Sequence, residues 1–132
     1  MDYSEKILDG RFVANTVYGE LIKKITSKNL SPALSIIQIG DNSASNIYVR
    51  NKLIKSSKIG IKANLFKFEE SVSYEQIIDK ISELNSLKTG IILQLPLPKH
   101  LNSFEIINHI DPKLDVDGLT SVNQISIFNM FF

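Results

Sequence analysis

"GIILQLPLPKH", residues 90–100, decides how the chain is read. Gly90 to Leu95 form a short, mostly apolar run that Pro96 and Pro98 stop abruptly. A run of this kind, bounded by breakers, reads as a buried strand. Gln94 lies inside it, and an unpaired amide in an apolar setting costs about 1–3 kcal/mol. Either the strand has a partner for that amide, or Gln94 points into a site.

Upstream of this run the pattern alternates between helix and strand. Ala14, Val17, Leu21 and Ile25 recur at helical spacing between Arg11 and about Ser27. "SPALSIIQIG" (31–40) turns at Ser31-Pro32 and continues as a strand that ends at Gly40. "DNSASNIYVRNKLIKSSKIG" (41–60) opens with cap-type residues, Ser43 and Ser45 among them, and reads as a helix ending at Gly60. "IKANLFKF" (61–68) suits a second strand. Ser73 and Gln76 have capping-box spacing, and Tyr74, Ile77, Ile81 and Leu84 give the following helix an inner stripe. Downstream, Asn102 and Glu105 cap a short helix through Phe104, Ile106 and Ile107, and "DPKLDVDGLTSVNQ" (111–124) is a loop by composition.

Three strands separated by helices of this length make βαβ units. The expected fold is therefore an α/β domain of three layers, with a mainly parallel sheet flanked by helices. Ligands of such sheets gather outside the carboxyl ends of the strands. The loops expected there are "GDNSAS" (40–45) and "PLPKH" (96–100), which makes Gln94 a candidate site residue.

Composition narrows the function classes. With 132 residues, 43% hydrophobic and 22% charged, the chain is one modest globular domain. A net charge of +1 implies no general field for nucleic acid or membrane. The absence of cysteine excludes disulfides, thiolate metal sites and a cysteine nucleophile, and a cytoplasmic setting is the simple expectation. "MDYSEKILDG" lacks an apolar core, so no secretory signal is expected, and no apolar run approaches the roughly 20 residues of a membrane span.

Two pairs of residues carry possible chemistry. Tyr48 and Lys52 are four apart, on one side of the second helix, an arrangement suited to holding and passing a proton. By spacing alone, a solvated lysine beside a half-buried tyrosine is the commoner outcome. Asp115 and Asp117 precede Gly118 in "LDVDG". A calcium loop would want an acid or amide at Lys113 and a glutamate at Gln124, so that reading fails. A fixed carboxylate that accepts a ligand's paired N–H groups remains, against the plainer Asx turn. His100 and His109 have no second ligand at a metal spacing, and no G-x-G phosphate cradle occurs. No metal site is expected.

"ILDGR", "IGDNSASNIYVRNK", "GIILQLPLP" and "DVDGLTSVN" occur in the order and spacing of the bifunctional methylenetetrahydrofolate dehydrogenase/cyclohydrolases (FolD type). The chain resembles that family from about Ile7 to Asn123. The resemblance implies a folate-binding catalytic domain over 1–123 and a divergent apolar tail over 124–132. It also implies one-carbon folate metabolism, serving purine biosynthesis. In the family's reactions, 5,10-methylenetetrahydrofolate is oxidised with NADP and the methenyl product is hydrolysed to 10-formyltetrahydrofolate. Lys52 would be the catalytic lysine, Tyr48 would stack against or orient the folate, and Gln94 would bond toward lysine and substrate. Asp117 would hold the pterin, and Ser45 would join the substrate-binding set. The implied partners are the folate and either a second copy of the chain or a separate NADP-binding chain.

The departures from the family are specific. A Rossmann domain that binds NADP follows "DVDG" in the family, whereas this chain stops nine residues beyond Asn123. The NADP domain is therefore expected to be lacking, and the surface that the family's last helix covers is expected to lie bare. Ile125 replaces a family glycine, and Leu114 stands where a lysine is usual. The residual alternative is an inactive remnant that at most binds folate.

Overall fold

The computed structural model describes residues 9–131. The stretch 1–8, with Ile7 and Leu8 of "ILDGR", and Phe132 of the tail lie outside the described residues. The elements, in order, are α1 (Gly10–Ser27), β1 (Ala33–Ile39), α2 (Ser43–Ile59), β2 (Lys62–Phe68), α3 (Tyr74–Ser86), β3 (Gly90–Leu93), α4 (Ser103–Ile107) and α5 (Ser121–Phe131). The three strands form one parallel sheet in the order β2-β1-β3, with Ile36 opposite both Leu65 and Ile92.

Strand alternation divides the core between the two faces of the sheet. Ile37 and Ile39 of β1 and Ile91 and Leu93 of β3 pack with Ile77, Ile81 and Leu84 of α3 and with Ile106 and Ile107 of α4. Ile36 and Ile92 point the other way and pack with Val49 of α2. The arrangement is the expected three layers, with β1 buried over its last five residues because it is the central strand.

Most local expectations are met, and the exceptions have physical causes. Ser73 accepts the Gln76 N–H while the Gln76 side chain accepts the Ser73 N–H, the reciprocal capping box. Helix α2 closes at Gly60 as read, but its N-cap is Asn42, whose Oδ1 accepts the Ser45 N–H at 3.0 Å. Ser43 is the first helical residue rather than a cap, and the Ser45 hydroxyl is engaged elsewhere. The segment read as a loop over 111–124 is irregular only to Thr120, since Ser121 begins α5. Helix α5 runs unbroken across the Asn123-Gln124 position.

Strand β3 ends at Leu93, before its apolar run does, and its outer edge receives a different neighbour. The Ile91 N–H donates to Leu114 O at 2.7 Å and the Val116 N–H to Ile91 O at 3.2 Å, so residues 114–116 run parallel to β3. Leu114 turns its apolar side chain against the main core. The close crossing requires Gly90: a Cβ there would stand 2.8 Å from Val116 Cγ2. Valine is stiff about χ1 and cannot simply swing away. Gly90→Ala is expected to cost about 1–3 kcal/mol, as for an overpacked site, read as a lowered urea midpoint with unchanged slope.

Helix α1 buries none of its residues fully, and Phe12, Val13 and Val17 are exposed. Val122, Ile125, Phe128 and Met130 of α5 are exposed as well. No helix among the described residues is long and apolar enough to cross a membrane.

Candidate functional site

The site is built from the inner face of α2 and the end of β3. On α2, Ser45, Val49, Lys52 and Ser56 recur at helical spacing and turn toward the sheet. Just past β3, Gln94 lies two positions after Ile92 and so points to the same, α2-facing side. The two patterns converge. Lys52 Nζ donates to Gln94 Oε1 at 3.1 Å, across 42 residues of sequence.

The Gln94 amide therefore has its partner. Its backbone N–H still donates to Ile37 O at 2.8 Å, which fixes the residue to the central strand although it lies beyond β3. Its side chain gives Oε1 to Lys52 and sends Nε2 to Leu95 O at 3.0 Å. Among the described residues no buried side-chain nitrogen or oxygen lacks a partner. The half-buried amide is satisfied by a cation.

Ser45 closes the arrangement from beneath. It is 4% exposed, and its hydroxyl donates to the same Leu95 carbonyl at 3.3 Å. Leu95 joins Pro96 through a cis peptide, which nothing in the sequence pattern announces. Tyr48 lies on the flank of α2 and is 63% exposed, and its hydroxyl has no hydrogen-bond partner among the described residues. Tyr48 and Lys52 thus share one side of the helix as expected, with the ammonium turned inward to Gln94 and the phenol outward.

Asp117 is exposed on a separate loop, and its carboxylate has no hydrogen-bond partner among the described residues. Its approach is set by residues 114–116, which run in the direction of β3 toward the end where Gln94 emerges. The loop is shaped by Asp115. Partial burial raises the proton affinity of that carboxyl, but hydrogen bonds from Thr120, Asn123 and Leu119 outweigh it and hold the group below its ordinary range. Linkage fixes the sign. The Asp115 contribution to stability is complete above the unfolded carboxylate value and is lost as pH falls through the lower folded value. Asp115→Asn is therefore expected to lower the urea midpoint at pH 7 and to match the wild-type chain in strong acid.

A second polar chain, not anticipated from the sequence, anchors the loop before α2. Gln38, 2% exposed on β1, donates to Asn46 Oδ1 at 2.6 Å, and Asn46 Nδ2 donates to Asp41 Oδ1 at 3.0 Å. Lys67 of β2 reaches the same Asp41 oxygen at 2.6 Å. The bonds from Lys67 and Asn46, with the Lys67 charge, hold the Asp41 carboxyl below its ordinary value. A single amide near the end of each apolar strand was the available signal, since Gln38 and Gln94 both face α2.

Between the carboxyl ends of β1 and β3 lies an open concavity of about 340 Å³, lined by Gly40, Asp41 and Asn42 on one side and Pro96, Leu97 and Pro98 on the other. The Lys52-Gln94 pair is outside its lining. At the pair a titratable group and a directed amide meet. The histidines serve the scaffold: His100 Nε2 donates to Val72 O at 3.0 Å, and His109 Nε2 meets the Tyr74 hydroxyl at 2.9 Å. Among the described residues no group of three or more His, Cys, Asp or Glu side chains is placed to hold a metal ion.

The family model described as "Tetrahydrofolate dehydrogenase/cyclohydrolase, catalytic domain" matches residues 8–117. The bifunctional protein FolD of Mycoplasmopsis synoviae is 40% identical over 126 residues, covering 94% of this chain and 45% of that protein. The crystal structure of the bifunctional enzyme FolD from Campylobacter jejuni superposes with a TM-score of 0.86 at 32% identity, covering 93% of this chain and 45% of that one. The Trypanosoma brucei dehydrogenase-cyclohydrolase, solved with NADP cofactor and an inhibitor, gives a TM-score of 0.82 at 29% identity over 88% of this chain and 41% of that one. The chain thus spans less than half the length of the relatives it matches. On the strength of that match and of a shared fold, the chain belongs to the tetrahydrofolate dehydrogenase/cyclohydrolase family, as its catalytic domain.

Proposed function

We propose that this chain is the folate-binding, proton-transferring part of a cytoplasmic enzyme of one-carbon folate metabolism. The proposed reactions are oxidation of 5,10-methylenetetrahydrofolate and hydrolysis of the methenyl product to 10-formyltetrahydrofolate. The single observation that carries this reading is the Lys52 Nζ to Gln94 Oε1 bond of 3.1 Å at the end of β3.

In the hydrolysis, water adds to the methenyl carbon of the cation and its oxygen gives up both protons in turn; the bond from that carbon to one ring nitrogen breaks, that nitrogen gains one proton, and the other leaves to solvent. Lys52 is the group placed to carry those protons, since an ammonium or amine can serve in both directions. Gln94 holds Nζ in line and keeps its amide available to the folate. The exposed Tyr48 ring offers a face for an aromatic part of the folate, and Asp117 offers an acceptor for the pterin N–H groups. Ser45, with its hydroxyl committed to Leu95 O, supports the Gln94-Leu95 backbone from within.

The residues present do not fit NADP. The turn from β1 into α2 has one glycine, and it places the Asp41 carboxylate where a pyrophosphate would need bare N–H groups. We therefore derive no oxidation step from these residues. The exposed apolar side chains on α1 and α5 favour a second reading, in which this unit pairs with an NADP-binding region, within a longer protein or on a separate chain, or with a second copy.

The test is the loss of methenyltetrahydrofolate absorbance with the purified chain and without NADP. Decay faster than buffer supports a retained cyclohydrolase. Decay at the buffer rate with folded protein, and no restoration on adding a separately expressed NADP-binding domain of a relative, would overturn the catalytic reading.

A further inference from the structure

The two acids of "LDVDG" stand two residues apart and meet opposite surroundings. Asp115 is half-buried, and its carboxylate collects three donors: the Leu119 N–H at 3.2 Å, the Thr120 N–H at 2.8 Å and Asn123 Nδ2 at 2.9 Å. Asn123 Nδ2 donates as well to Pro112 O at 2.8 Å, so one side chain ties both ends of the loop. Upstream, Val116 is fixed to Ile91 on the edge of β3. Asp117 and Gly118 are thus the two residues between two clamps. Gly118, at φ +68°, takes a left-handed conformation that other residues adopt only with strain.

We propose that Asp115 is a positioning residue of the folate site, which fixes where the Asp117 carboxylate stands by gathering Leu119, Thr120 and Asn123 beneath it. This inference rests on the reading of Asp117 as the group that faces the pterin. The geometry gives the two acids of this loop different tasks. One is consumed by the loop so that the other can be left exposed and free of partners. An amide at 115 would keep one acceptor oxygen and turn an NH₂ toward N–H donors, so the loop would lose part of its anchor.

The experiment uses the full 132-residue chain, titrated calorimetrically with tetrahydrofolate, which the hydrolysis does not consume. Asp117→Asn is expected to raise Kd about tenfold, and Asp115→Asn by a similar factor. The double variant is expected to bind no more weakly than Asp117→Asn alone, because both changes act through one carboxylate. Unchanged Kd in a folded Asp115→Asn chain, or additive losses in the double variant, would overturn the proposal. Hydrogen exchange gives an arm independent of folate. The amides of Gly118, Leu119 and Thr120 are expected to exchange faster in Asp115→Asn while those of Ile36 and Ile37 do not, and equal protection would again overturn it. If the wild-type chain and Asp117→Asn have the same affinity, or neither binds, the folate reading of Asp117 fails. The exchange result then decides alone whether Asp115 sets the loop.

Discussion

Lys52→Ala is expected to lower the rate of methenyltetrahydrofolate hydrolysis by roughly 10²–10⁴-fold, the range for a positioned general acid–base. The change removes the proposed proton carrier and leaves Gln94 Oε1 without its donor at 3.1 Å. Lys52→Arg is expected to keep a charge and a donor near Gln94 without restoring the rate. A guanidinium is permanently protonated, and its planar fork does not reproduce a point ammonium. Fold is not at stake, because Lys52 is only partly buried and its neighbours Val49 and Ser56 carry the helix contact. The readout is the initial rate of absorbance decay beside a thermal melt. A folded Lys52→Ala chain that keeps the wild-type rate would remove Lys52 from the mechanism.

Ile37→Ala is expected to be the most damaging of the core substitutions, at about 2–5 kcal/mol. Ile37 is fully buried on the central strand, opposite Phe66 of β2 and Leu93 of β3, and it belongs to the cluster that joins the sheet to α3 and α4. Every neighbour is itself held by strand pairing or helix packing, so the cavity cannot collapse. Against a total of about 5–15 kcal/mol for a domain, the loss is a large fraction. Urea unfolding followed by circular dichroism measures it. Leu87→Ala, at an exposed position just after α3, is the control and is expected to stay within about 0.5 kcal/mol. Equal midpoints for the two variants would show that the core is not centred on β1.

The parts of the fold that were legible in the sequence are those governed by short-range rules. The capping box at Ser73 and Gln76, the inner stripe of α3 and the cap at Asn102 all depend on neighbours within a turn of helix. Two local readings missed for an equally local reason. Asn42, Ser43 and Ser45 are all good caps, and only the place where the chain leaves β1 selects Asn42. Ser121 begins α5 although "TSVNQ" has the composition of a loop.

The candidate site divides along the same line. Tyr48 and Lys52 were legible as a pair because a helix repeats about every 3.6 residues. Gln94 was legible because an amide in an apolar strand demands an explanation. Neither rule implies that these elements face each other, since the Lys52-Gln94 bond joins residues 42 apart and exists only once β3 lies beside β1. Nor do residue type and spacing tell Asp115 from Asp117, which are chemically identical; only the family resemblance singles out Asp117. The difference arises because Val116 pairs with the edge of β3 and turns one carboxylate inward to Leu119, Thr120 and Asn123.

By itself the sequence determined the alternation of strands and helices, hence a parallel three-layer sheet, and its four motifs pointed to the family. The periods of hydrophobicity and the turn residues are local, and local physics suffices to read them. Tertiary structure alone decided which polar side chains are spent on the scaffold and which are left without a partner among the described residues. Gln38, Ser45 and Asp115 are spent, whereas Tyr48 and Asp117 are left free among the described residues, and Lys52 and Gln94 hold one another at the strand end. Burial and distance across the sheet make that division, and both come into being only when the chain has folded.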